Sequence, residues 1–200
     1  MRQAARSAMS WRRWAFTVTL AGVAGLFPSH ACAKGVFTAA GPDGPAQTVY
    51  APAGGKAGPA VLVMSGSHGP DNDQSYAEDV CKLGYSTVLL DGNDMLNAEH
   101  TGVANLAKAL ERAQHAPEAA PGKAVVIGFS LGGGAALNNA AGLPDRVSMV
   151  VAYYPFTKTW AKNAGGLVKR FQVPVLMLVG ALDHQDNDCC VVETARAIED

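Results

Sequence analysis

A chain of 200 residues, 48% hydrophobic and 16% charged, has a one-domain length and enough apolar material for a sizeable core. Its formal net charge of −1, with lysines and arginines spread along the sequence, argues against a nucleic-acid surface. Heptads, internal repeats and low-complexity tracts do not stand out, which argues against coiled-coil and solenoid architectures.

The first 33 residues read as a leader. Arg2, Arg6, Arg12 and Arg13 precede an apolar run over 14–27, and Ala31-Cys32-Ala33 follows. A positive start, a short apolar middle and a small-x-small site are the layout of a secretory signal peptide. The expectation is therefore removal of 1–33 and a domain over 34–200, periplasmic or secreted. The apolar run is shorter than the roughly 20 residues a membrane span needs, so no stable membrane insertion is expected after leader removal. Arg12-Arg13 leaves the twin-arginine route open beside the general one. An uncleaved anchor is the alternative, and Cys32 lacks the leucine that usually precedes a lipidated cysteine.

Cleavage there leaves Cys81, Cys189 and Cys190, an odd number for an oxidising compartment. Cys81 falls near the end of one expected helix, and Cys189 and Cys190 at the start of another. Those ends usually lie at opposite edges of an α/β sheet, so buried or idle thiols are expected, with a vicinal bridge as the alternative.

Residues 34–59 are rich in Gly, Pro and Ala, and Gln47 to Tyr50 is the strand-like island within them. Ala60 to Met64 is a continuous apolar run, the mark of a strand covered on both faces. Ser65-Gly66-Ser67-His68-Gly69-Pro70 ends it. A helix is expected over 74–83, stopped by Gly84, then a strand over 86–90 ending at Asp91-Gly92-Asn93. Thr101 to His115 is the clearest amphipathic helix, with Val103, Leu106, Ala107 and Leu110 on one face. A strand over 123–127, a helix over 131–141 and strands over 147–153 and 173–179 follow. Pro174 is tolerated near a strand start. A last helix is expected over 188–200, with Asp188 as N-cap. Strands alternating with helices throughout argue for one parallel-sheet α/β domain.

Gly128-Phe129-Ser130-Leu131-Gly132 fits G-x-S-x-G between an expected strand and an expected helix. That context makes the pattern a nucleophile elbow, a sharp turn that exposes a serine hydroxyl at the carboxyl edge of a sheet. The helix behind it offers free N–H groups and a partial positive charge to developing anions. A Gly-rich phosphate cradle is the rival reading, but the spacing fits neither G-x-G-x-x-G nor the P-loop.

With these residues in place, the chain resembles the α/β-hydrolase superfamily, in particular its dienelactone hydrolase-like members, over about Gln47 to Asp200. The likeness rests on IGFSLGG, MSGSHG, GYSTVLLDG, AYYP and VPVLMLVGALD, in the family's order. It implies an α/β-hydrolase fold, a mostly parallel sheet flanked by helices. It also implies Ser130 as nucleophile, where some members carry cysteine, and Gly128 and Gly132 as the elbow glycines. The oxyanion donors would be the N–H of Leu131 and one from the loop after the earlier strand, with Ser67 and His68 both candidates. Where members often read His-Gly-x-Gly-Gly, this loop has Ser65 in place of the histidine.

Asp183 stands at the place of the acid, with Asp186 and Asp188 as competitors. In the superfamily's order the histidine follows one further strand, and the sequence stops before it. The resemblance therefore implies a chain lacking the last strand and helix, and with them the base. His184 directly follows the acid and is poorly placed, His68 lies on the neighbouring loop, and His100 and His115 read as loop and helix-end residues. Phe156 and Trp160 are candidates for an acyl pocket or for plain packing. The implied activity is hydrolysis of a small-molecule carboxylic ester or lactone, with no metal or organic cofactor. A non-catalytic binding protein on the same scaffold is the alternative.

Overall fold

Seven strands join in one sheet in the order β1-β2-β4-β3-β5-β6-β7. The computed structural model describes residues 31–54, 57–96, 101–160, 162–183 and 191–199. The strands are β1 (Val36–Thr38), β2 (Gln47–Tyr50), β3 (Gly58–Met64), β4 (Tyr85–Leu90), β5 (Ala124–Phe129), β6 (Val147–Tyr153) and β7 (Val175–Leu178). β1 and β2 pair antiparallel, as do β2 and β4, while β3 to β7 form a parallel block. Between the strands run α1 (Gln74–Lys82), α2 (Gly92–Met95), α3 (Thr101–His115), α4 (Leu131–Ala135), α5 (Ala164–Val168) and α6 (Val191–Glu199). Among the described residues no helix is long and apolar enough to cross a membrane.

The continuous apolar strands are buried on both faces because successive side chains alternate across a sheet. Leu62 and Met64 of β3 join Leu90, Leu106, Leu110 and Val126 in one core. Val61 and Val63 of the same strand join Leu89, Ile127, Ala77 and Val80 in the other. α3 and the elbow helix therefore cover one face, and α1 the other. Each fully buried leucine or valine contributes about 1.5–3 kcal/mol, so this double layer anchors the central strands.

Several boundaries differ from the sequence reading, each for a local reason. β1 lies in the Gly/Pro-rich stretch, and its three residues are all exposed, so it carries no burial pattern to read. β5 continues through Gly128 and Phe129, because β6 pairs with it as far as Phe129↔Tyr153. β7 begins only at Val175, since Pro174 has no N–H for the ladder, although its carbonyl still accepts from Val150. The helix after Ser130 is a short α turn followed by a π-helix over Ala136–Ala140. α6 starts at Val191, and the expected cap Asp188 lies outside the described residues.

The thiol assignment needs correction at Cys81. It is bonded to Cys32, with Cα atoms 5.7 Å apart across a sequence separation of 49. Cys32 also makes an antiparallel bridge with Pro52, and Ala33 N–H donates to the Ala51 carbonyl. The sequence reading searched for a partner only downstream, having assigned Cys32 to the leader. Cutting after Ala33 would remove one half of this bridge. Cys189 and Cys190 lie outside the described residues.

Candidate active site

Strand order reverses between β3 and β5, because β4 returns on one side of β3 and β5 is laid on the other. Such a switch point opens a crevice at the carboxyl ends of the strands. The loop after β3 and the turn after β5 meet there, which brings the two conspicuous motifs of the sequence together.

Ser130 sits on that turn with φ 47° and ψ −109°. A non-glycine residue at positive φ costs about 1–3 kcal/mol and persists only where its surroundings hold it. Three hydrogen bonds do so here. Ser130 N–H donates to the Tyr153 carbonyl at 3.0 Å, and its own carbonyl accepts from Gly134 N–H at 3.0 Å and Phe156 N–H at 2.7 Å. The glycines are required by close backbone approach. A Cβ on Gly128 would lie 2.3 Å from the Gly132 carbonyl oxygen, and one on Gly132 would lie 2.3 Å from that of Met64. Ser130 is half-buried rather than sealed in. Behind it Leu131 opens α4, where the first N–H groups have no intrahelical acceptor.

Ser65 stitches the loop to the elbow. Its carbonyl accepts from Gly132 N–H at 3.1 Å, and its fully buried hydroxyl accepts from Gly92 N–H at 3.2 Å. Ser67 and His68 follow on an exposed turn, where the Ser67 carbonyl accepts from Asn93 Nδ2 at 3.3 Å. The Gly66 N–H donates to Asp73 Oδ2 at 3.1 Å, so the loop is held from below by a carboxylate. No spacing in the sequence singled out Asp73. Burial pushes its pKa up, and the Gly66 hydrogen bond partly offsets this.

A cleft of about 530 Å³ lies over these groups. Ser130, Leu131, Ser67, His68 and Asp183 all line it, as do Asp73, Tyr154 and Phe156. Asp183 reaches it from the turn after β7, where its N–H donates to the Gly180 carbonyl at 3.0 Å. Trp160 does not line the cleft; it packs on the core and carries the Arg170 guanidinium 5.6 Å from its ring centroid. His115 ends α3, exposed, with Nδ1 2.8 Å from the Glu111 carbonyl. His68 is therefore the histidine at the cleft among the described residues. His100, His184, Asp186 and Asp188 lie outside them.

Aromatic rings form the floor and lip. Phe129 stacks on Tyr153 with centroids 4.9 Å apart and meets Tyr76 edge-on at 4.9 Å. Tyr154 shares the unusual backbone of Ser130, with φ 34°, and stands 47% exposed at the lip. Its phenol pKa is pushed up by burial first and then by the charge of Asp73. Sequence reading missed Tyr154 because a tyrosine after a strand looks like any other core aromatic.

A central parallel sheet with a serine raised on a strained strand-to-helix turn, facing a loop from the neighbouring strand, defines the α/β-hydrolase fold. The dienelactone hydrolase family matches residues 89–198. The chain belongs to that family, a family of hydrolases. Among solved structures, m3DLH is 20% identical, covers 84% of this chain and 78% of its own, and superposes with a TM-score of 0.62. A dienelactone hydrolase-like promiscuous phosphotriesterase from metagenomic libraries is 21% identical with the same coverage and a TM-score of 0.60. Est1E from Butyrivibrio proteoclasticus is 15% identical, covers 83% of this chain and 84% of its own, and gives 0.62. At these identities the likeness is one of fold. No curated protein matches the chain significantly in sequence.

Proposed function

We propose that the protein is an exported serine hydrolase that cleaves carboxylic esters or lactones through an acyl-enzyme on Ser130. The observation that carries this reading is the strained backbone of Ser130, held by three hydrogen bonds over an open cleft. Strain of this kind has no packing role that a glycine could not fill more cheaply.

In the proposed cycle the Ser130 hydroxyl oxygen attacks the acyl carbon while its proton passes to a base. The carbonyl oxygen becomes an oxyanion, and the Leu131 N–H and a donor from Ser67 or His68 stabilise it. One such donor is typically worth about 3 kcal/mol in the transition state. Collapse expels the alkoxide, which takes up the proton, and water then releases the acid by the same route. Asp183 would fix the tautomer of the base and stabilise its protonated form. The base would be a histidine, and His68 is the one that lines the cleft among the described residues.

Export is supported by the Cys32–Cys81 bond, which belongs to an oxidising compartment. The proposed leader is cut upstream of Cys32, where Ser29-x-Ala31 also offers a small-x-small site. Intact mass of the exported protein should place its first residue at Cys32 or earlier, and a product beginning at Lys34 would overturn that boundary.

Capture by a fluorophosphonate tests the enzyme itself. Covalent labelling at Ser130, lost in Ser130→Ala, is the expected result. Folded protein that takes no label would instead favour a binding protein on the same scaffold.

A further inference from the structure

Among the described residues that line the cleft, the ionisable side chains other than tyrosine are His68, Asp73 and Asp183, and none is a lysine or arginine.

Asp73 is the fixed member of this set. Its Oδ2 is held by the Gly66 N–H at 3.1 Å, and a Cβ on Gly66 would lie 3.7 Å from that of Ser130. One residue of loop thus separates the carboxylate's anchor from the elbow. Its field reaches the lip, where it acts on the Tyr154 phenol. Tyr154 and Phe156 present aromatic surface to the same space. Ring faces attract cations electrostatically and repel anions by the same quadrupole. Carboxylate and rings therefore act in one direction. An anionic substrate arm would meet the like charge of these carboxylates, with no lysine or arginine among the described lining residues to offset it.

We propose that this cleft selects esters whose variable arm is neutral or cationic over esters whose arm carries a carboxylate or sulfonate, with Asp73 as the specificity-determining residue. The inference rests on Ser130 being the nucleophile.

The test uses the full chain and three ethyl 4-nitrophenyl alkylphosphonates, neutral diesters at phosphorus, that differ only in a terminal trimethylammonium, tert-butyl or carboxylate group. In each case Ser130 Oγ bonds to phosphorus, the bond to 4-nitrophenolate breaks, and the hydroxyl proton passes to solvent. Release of nitrophenolate gives the rate, and intact mass confirms the adduct. Trimethylammonium should outpace carboxylate by on the order of tenfold at low salt, with tert-butyl between them. The ratio should shrink as ionic strength rises from about 0.01 M to about 1 M, where the screening length falls from roughly 30 Å to 3 Å.

Asp73→Asn keeps an acceptor for Gly66 and should reduce the ratio several-fold, and Asp73→Lys should invert it. A loss of structure at Asp73 would slow all three probes alike and leave the ratio unmoved. Should the tert-butyl probe label Ser130 while the carboxylate probe reacts as fast as the cationic one, this inference falls and the hydrolase reading stands. If no probe labels Ser130, both fall.

Discussion

The two ends of the sheet are finished in different ways. At one end β1 and β2 turn antiparallel, and the Cys32–Cys81 bond ties the chain before them to α1. At the other end β7 pairs, among the described residues, only with β6, and its Leu176 and Leu178 remain 43% and 39% exposed. The candidate site spans this difference. Ser130 stands on the turn after β5, a strand paired on both sides, whereas Asp183 hangs on the turn after β7. The serine half is therefore held by the middle of the sheet and the acid half by its end.

The largest effect should separate those halves directly. Asp183→Asn should slow fluorophosphonate capture at Ser130 by roughly 10³–10⁴, as expected of the residue that orients the base. Capture within about threefold of the parent's would remove Asp183 from the proposed site.

Opening the closed end comes next. For a separation of 49 residues, replacing Cys32 and Cys81 with serine should destabilise the fold by about 4 kcal/mol. Denaturant titration against the oxidised parent reads this. A shift no larger than that of an ordinary surface mutation would mean that Cys32 is not bonded in the native protein.

Gly132→Ala probes the centre. Its new methyl would meet the backbone oxygen of Met64, which no rotamer change can relieve. A loss of about 2–4 kcal/mol is expected, with capture at Ser130 falling alongside. Full capture with unchanged stability would show that the elbow is looser than its contacts imply.

The smallest effects concern exposed or half-exposed groups. Leu178→Lys should alter stability by less than about 0.5 kcal/mol yet reduce self-association in sedimentation, since a charge blunts an open edge strand. Asp73→Asn tests a pH effect of known sign. Burial raises the folded pKa of Asp73 above its unfolded value, against the opposing pull of the Gly66 amide, with the Tyr154 phenol also facing it. The ionised form is thus disfavoured in the fold, and stability is lost as pH rises from the unfolded pKa through the folded one. The asparagine variant should therefore melt about 1–2 °C higher at neutral pH. That advantage should vanish below about pH 3, where both states of the parent are protonated.

What the sequence determined by itself was local and periodic. An unbroken apolar run marked β3, because a strand buried on both faces cannot alternate. The face read as Val103, Leu106, Ala107 and Leu110 marked the bounds of α3, although Val103 is 52% exposed and the buried stripe runs through Leu106, Ala109, Leu110 and Ala113. Glycines around Ser130 marked the elbow, because only glycine permits backbone to pass within contact of Met64 and Gly128. Tertiary structure alone decided the rest. It joined Cys32 to Cys81 across 49 positions, set Asp73 under Gly66, and placed Tyr154 at the lip. These are meetings between segments that share no period or motif. Strand order makes them, and strand order is fixed by how the helices cover two faces of one sheet rather than by any residue's neighbours in the chain.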